Sequence, residues 1–163
     1  MTTTTSTDVT TLPLTGMGQI SFVQSPALAP AVLGSCIGLV LHHRRCGVGI
    51  LGHIVLPKSE GRTGPPGKFA DTAIPHMLEL LRNEGAQTAG LTAKMVGGGN
   101  MFGNSGPLQI GVANIEAVTE LLKKYGVPLR SQSVGGLKGR RLTYNSETGS
   151  VQVEIVGEEP FTI

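Results

Sequence analysis

The stretch IGLVLHHRRCGVGILGHIVL, residues 37–56, decides how this chain folds. Two apolar runs, Ile37 to Leu41 and Val48 to Leu56, flank the polar connection His42-His43-Arg44-Arg45-Cys46-Gly47, which is the pattern of a β-hairpin. A turn centred between Arg44 and Arg45 sets Leu41 opposite Val48, Leu39 opposite Ile50 and Cys36 opposite His53. Directly opposed residues share a sheet face, with Cβ atoms about 4.5–5.5 Å apart. A thiol and an imidazole are therefore expected to meet at the open end of the hairpin. The expectation depends on register, because a slip of one residue would send them to opposite faces.

Outward from the hairpin, Gln19 to Gln24 reads as a strand with Ile20 and Phe22 on one face, and Pro26 and Pro30 then punctuate the chain. Residues 57–68 hold three prolines and three glycines, the composition of a long surface loop. Ala70, Ala73, Ile74, Met77, Leu78 and Leu81 recur at helical spacing and Gly85 supplies the stop. Pro75 requires that helix to begin near Asp71, since proline lacks the donor that an interior turn needs. A strand from Leu91 to Val96 runs into Gly97-Gly98-Gly99-Asn100. A second helix with Val112, Ile115, Val118, Leu122 and Tyr125 on one face ends at Gly126. Leu129 to Val134, Arg140 to Tyr144 and Val151 to Ile155 read as strands, the last two joined through Glu147-Thr148-Gly149. Many hairpin-linked strands with two helices inserted make an α+β fold of layered sheet and helix. The Thr-rich residues 1–16 read as a flexible arm and residues 17–163 as a single domain.

Composition narrows the function classes. At 39% hydrophobic and 15% charged, the chain is too apolar and too weakly charged to be disordered. With 24 glycines and no tryptophan, its core must be aliphatic and closely packed. A net charge of +2 is too small for a dedicated nucleic-acid binder. No basic residue precedes Arg44, so a secretory signal is not expected. The run from Ala31 to Leu41 falls short of the roughly 20 residues that span a bilayer. These features suggest a soluble cytoplasmic protein without membrane insertion, its two cysteines, Cys36 and Cys46, reduced.

Cys36 and His53 are the residues that could do chemistry. A thiolate is a strong nucleophile, and a neighbouring histidine lowers the thiol pKa. Gly34-Ser35 ahead of the cysteine lets backbone approach a ligand, and amides near Cys36 could hold an oxyanion. The plain structural alternative is a cysteine that merely packs in an apolar strand. Cys36, His42, His43, Cys46 and His53 lack the paired spacings of a zinc site. Gly97 to Gly103 departs from G-x-G-x-x-G at Phe102, and Gly67-Lys68 does not complete a P-loop, so no metal or cofactor is expected. The Gly97–Gly99 turn, with Gly98, and Asn100 are the expected pocket wall, beside Ser35.

Several motifs together resemble the bacterial chemoreceptor glutamine deamidase family, CheD. They are Leu33-Gly34-Ser35-Cys36, the run Val48 to Pro57, Gly67 to Ala73, Lys94 to Phe102, Ile110-Gly111 with Asn114 and Val118, Val134-Gly135-Gly136, and Gly139-Arg140. The likeness covers roughly residues 17 to 157 in order, which is more specific than any one motif. It implies a three-layer α/β/β fold and a cytoplasmic hydrolase that converts glutamines of methyl-accepting chemotaxis receptors to glutamate. It also implies Cys36 as nucleophile, His53 as base and a CheC-type phosphatase as a partner. The family places a threonine six residues before the nucleophile as third member of the triad; here that position is Pro30. The group that orients His53 is left open between Gln24, Ser25, Ser35 and a backbone carbonyl. A binding module with little turnover and an unrelated thiol peptidase are the rival functions.

Overall fold

A computed structural model describes residues 8–101 and 109–163. Among these residues, two five-stranded mixed sheets and two α-helices form three layers. The inner sheet has the order β2-β5-β4-β6-β7 (Ile20–Gln24, Val48–Ile54, Ile37–His43, Leu91–Gly97 and Leu129–Val134). The outer sheet has the order β1-β3-β8-β9-β10 (Thr10–Thr11, Ala27–Leu33, Arg140–Asn145, Val151–Ile155 and Phe161–Thr162). Helices α1 (Ala70–Asn83) and α2 (Ile110–Tyr125) complete the stack.

The inner sheet is covered on both sides, so its strands read as continuous apolar runs rather than as alternating ones. Ile37, Leu39 and Leu41 of β4 and Ile50 and Ile54 of β5 pack under the helices with Ile74, Met77, Leu81 and Val118. Val40 and Leu51 point the other way, into a second core with Ala29, Ala31, Leu142, Tyr144 and Val153 of the outer sheet. Glycines set the layer spacing. A Cβ at Gly52 would sit 2.7 Å from Met77 Sδ, and one at Gly49 would collide with the Tyr144 hydroxyl.

The hairpin exists, but its register differs from the expected one. Gly38 faces His53, Leu39 faces Gly52 and His43 faces Val48. Pairing extends through His42 and His43, leaving a loop of residues 44–47 in which Gly47 takes φ 63°. The histidines themselves cause the extra pairing. His43 is buried and its Nδ1 accepts from the amides of Arg45 and Cys46, capping the loop; His42 Nδ1 meets the Tyr144 hydroxyl at 2.5 Å. The slip is by two residues, so every side chain keeps its face.

Three further differences have physical reasons. Ala27–Leu33 is a strand although Pro30 lies at its middle. Pro30 O accepts from Thr15 N on the side away from β8, so the missing proline N–H falls outside the Pro30–Thr143 pairing. Residues 8–16, read from sequence as part of the arm, lie along the sheets, with Thr10–Thr11 paired to β3 and Thr15 buried. The buried face of α2 is Gly111, Asn114, Val118 and Leu122, while Val112 is 42% exposed. Gly111 turns that face inward, because a Cβ there would lie 2.5 Å from Gly98 O. Pro75 is accommodated in a helix that begins at Ala70. Phe102 and Gly103 lie outside the described residues.

Gly49→Ala is expected to force apart the β5–Tyr144 contact and lower stability by about 1–3 kcal/mol, read as a fall in the urea midpoint.

Candidate active site

Cys36 sits one residue before β4, at the end of the Leu33-Gly34-Ser35 turn that carries the chain from the outer to the inner sheet. Its backbone is clamped by the end of β6: Gly98 N donates to Cys36 O and Gly99 N to Gly34 O, both at 2.9 Å. Gly97 (φ 118°) and Gly98 (φ 64°) are required by this contact, since a Cβ at Gly97 would strike Cys36 O. The thiol belongs to the inter-sheet core and is 8% exposed.

His53 lies on β5 opposite Gly38, and the even register slip keeps it on the same side of the inner sheet as Cys36. Cys36 is thus a diagonal neighbour of His53 rather than directly opposite. Among the described residues no hydrogen bond joins the two side chains. Three contacts fix the histidine: its N–H donates to Gln19 O, its carbonyl accepts from Gly18 N, and ring Nδ1 lies 2.8 Å from Thr15 O. A carbonyl oxygen can only accept, so Nδ1 carries the proton and Nε2 is the basic nitrogen. Thr15 N in turn donates to Pro30 O. One residue, Thr15, therefore connects the inner-sheet imidazole to Pro30 of the outer sheet.

The orienting group is accordingly a backbone carbonyl. Gln24 pairs with Val48 and Ser25 N bonds Gly47 O, at the opposite end of β2 from His53. Ser35 offers its carbonyl to Asn114. No residue-type signal marks a carbonyl, which is why sequence reading could not choose Thr15. Gly98 is not available as an oxyanion donor, its N–H being committed to Cys36 O. The backbone N–H of Asn100 likewise donates to Gly136 O at 2.8 Å. Asn114, fully buried on α2, was outside the expected site set.

Burial pushes the Cys36 thiol above its ordinary range. Burial also holds the His53 imidazole below its usual value, against a smaller opposing effect of the Thr15 carbonyl. Both effects favour the neutral thiol and neutral imidazole over the ion pair.

A cleft of about 870 Å³, lined by Val32, Met101, Leu137, Arg140, Ile155 and Val156, lies on the outward face of the outer sheet, and neither Cys36 nor His53 lines it. Val32, Met101, Leu137 and Val156 are each more than half exposed. No helix among the described residues is long and apolar enough to cross a membrane, and they hold no cluster of three metal-ligating side chains.

Layered α/β/β architecture with a thiol and a tautomer-fixed imidazole on one inter-sheet face defines the class: an α+β sandwich that carries a cysteine and a histidine between its two sheets. Comparison with known proteins narrows the class. A family model described as CheD chemotactic sensory transduction matches residues 55–155. The chemoreceptor glutamine deamidase CheD of Thermotoga maritima is 38% identical over 143 residues, covering 87% of this chain and 90% of that protein. A probable chemoreceptor glutamine deamidase CheD of Methanococcus maripaludis is 40% identical over 149 residues, covering 90% and 96%. A Clostridium novyi protein of the same name is 41% identical over 130 residues, covering 77% and 80%. The chain belongs to the CheD family.

His42 is held low as well, by burial first and then by Lys94 and His43. Both depressed imidazoles bind protons more readily in the unfolded chain, whose histidines titrate near pH 6.5. Their stabilising contribution is full above that value and is lost as pH falls toward the lower folded-state values. The urea midpoint should therefore drop between about pH 7.5 and 5.5, and the drop should shrink in His42→Asn.

Proposed function

We propose that this protein hydrolyses glutamine side-chain carboxamides of chemotaxis receptors to glutamate, with Cys36 as nucleophile and His53 as general base. The observation that carries the reading is the Nδ1–H to Thr15 carbonyl bond, which leaves a basic Nε2 on the face that bears the thiol. Family membership supplies the substrate class. The name borne by the relatives, chemoreceptor glutamine deamidase, is carried over to this chain as part of the proposal, as is a cytoplasmic site of action.

The chemistry balances as two acyl transfers. Nε2 takes the Sγ proton while sulfur attacks the δ-carbon; the S–C bond forms and the carbonyl π pair moves onto oxygen. The resulting imidazolium is stabilised by Thr15 O. Collapse of the adduct re-forms the carbonyl, breaks the C–N bond and releases ammonia, which carries off the proton from Nε2. Water then gives a proton to Nε2 as its oxygen attacks the thioester. The C–S bond breaks, glutamate leaves and the thiol is restored. Apo geometry is often looser than that of the substrate complex, so the Cys36–His53 contact is taken to close when a carboxamide enters.

The apolar cleft on the outward face of the outer sheet suits the apolar face of a receptor helix, with Arg140 and Lys138 on its rim. A CheC-type phosphatase would compete there. A second reading, a binding module with little turnover, is favoured by the closed resting site, in which Cys36 is 8% exposed.

Intact-mass analysis of a receptor cytoplasmic fragment separates the readings. Wild type should add about one dalton per converted glutamine and release ammonia, and Cys36→Ala should do neither. No mass change with wild type would leave only the binding module, and backbone fragments would indicate a peptidase.

Two kinetic results are also expected. The acid limb of kcat/KM should lie below about pH 6.5, because burial holds the His53 imidazole below its usual value. Leu137→Asp should raise KM about tenfold or more with little change in kcat, since it weakens docking that is equal in ground and transition states.

A further inference from the structure

Asn114 is completely buried on the face of α2 that meets the inner sheet. Its Nδ2 donates to Ser35 O at 3.0 Å and to Val55 O at 2.9 Å. Its Oδ1 is buried with no partner. Burying an amide with one end unsatisfied costs free energy, so the two donated bonds must do something that a leucine in the same space would not.

The two acceptors locate the effect. Ser35 immediately precedes the thiol residue, and Val55 lies two residues beyond His53. The Ser35–Cys36 peptide is trans, the cis bond among the described residues being Ser25–Pro26. In a trans peptide the C=O and the following N–H point in opposite directions. Because Asn114 draws Ser35 O toward the helix layer, the Cys36 N–H is turned away from it, to the inter-sheet side that holds the thiol and His53. The neighbouring amides are spent: Gly98 N on Cys36 O, Gly99 N on Gly34 O and Asn100 N on Gly136 O. The Cys36 N–H has no backbone acceptor among the described residues.

We propose that Asn114 is a positioning residue for acyl transfer at this site: by holding the Ser35 and Val55 carbonyls it aims the Cys36 N–H at the oxygen of the tetrahedral adduct. The proposal rests on the reading of Cys36 as nucleophile, and it adds both the oxyanion donor and the group that sets it. A donor aimed where charge develops acts on the adduct and not on the sulfur. Asn114 therefore governs acylation while leaving the intrinsic reactivity of the thiol alone.

That separation is measurable. Acylation of Cys36 by p-nitrophenyl acetate passes through an oxyanion, whereas alkylation by iodoacetamide is a direct displacement that forms none. In Asn114→Ala and in the space-filling Asn114→Leu, acylation should fall about 100-fold while the alkylation rate and its pH profile stay at wild-type values. Unchanged acylation in a folded variant would overturn the proposal. So would a parallel fall of both reactions, which would mean that the thiol itself had moved.

Should neither variant fold, the wild-type protein with ¹⁵N-labelled cysteine decides. A peptide aldehyde that forms a thiohemiacetal on Cys36 should shift the Cys36 amide proton downfield, and an unmoved resonance would refute the assignment. None of these readouts uses a receptor. Wild type that acylates at Cys36 but leaves receptor glutamines unchanged would sink the deamidase reading alone, with the acylation-to-alkylation ratio still deciding Asn114.

Discussion

Burial of the inner sheet on both faces is the constraint on which the remaining structure depends. A strand covered on one side can slip or fray with modest loss, whereas β4 and β5 carry one set of side chains into the helix core and the other into the second sheet. Each residue's parity is thereby decided twice. Cys36 and His53 fall on the inter-sheet side, which is where the linker between the two sheets and the docked segment of residues 8–16 can reach them. The layers also explain the glycines of β5: Gly49 admits Tyr144 from one side and Gly52 admits Met77 from the other.

Much of this architecture is legible in the chain because its signals are local. The amphipathic spacing from Ala70 to Leu81, the stop at Gly126 and the apolar runs around residues 42–47 need no tertiary information. What escapes is decided by contacts between distant segments. β3 is hidden by Pro30, whose missing donor happens to face the segment that β8 does not use. The hairpin closes two residues later than its polar stretch suggests, because His42 finds a hydroxyl on β8 and His43 caps its own loop. The inward face of α2 is turned by a glycine and an asparagine, residues that a hydrophobicity pattern treats as surface. In that case the apolar Val112 is the misleading member.

The site divides along the same line. Cys36 and His53 could be singled out from residue type and spacing, and the two-residue register error keeps both on one face while making them diagonal rather than directly opposed neighbours. Gly98, a natural choice for cradling charge, has its amide already engaged. The Gly97–Gly99 turn serves instead to let β6 press against the thiol's own backbone. Asn114 was visible only as one letter in a shared motif, and its two carbonyl partners lie 79 and 59 residues away along the chain. Polar side chains that act on backbone leave little trace in composition or periodicity.

The imidazole takes its bearings from a peptide oxygen, and this has an evolutionary corollary. Every amino acid carries that oxygen, so drift at position 15 would not remove the tether, and a comparison of side chains among relatives would find nothing there to mark it. Displacement of the strand leading into Thr15, by contrast, would let the ring swing without any change in its chemical neighbours' identity. An imidazole oriented this way depends on the path of the main chain, where mutation has little to act on.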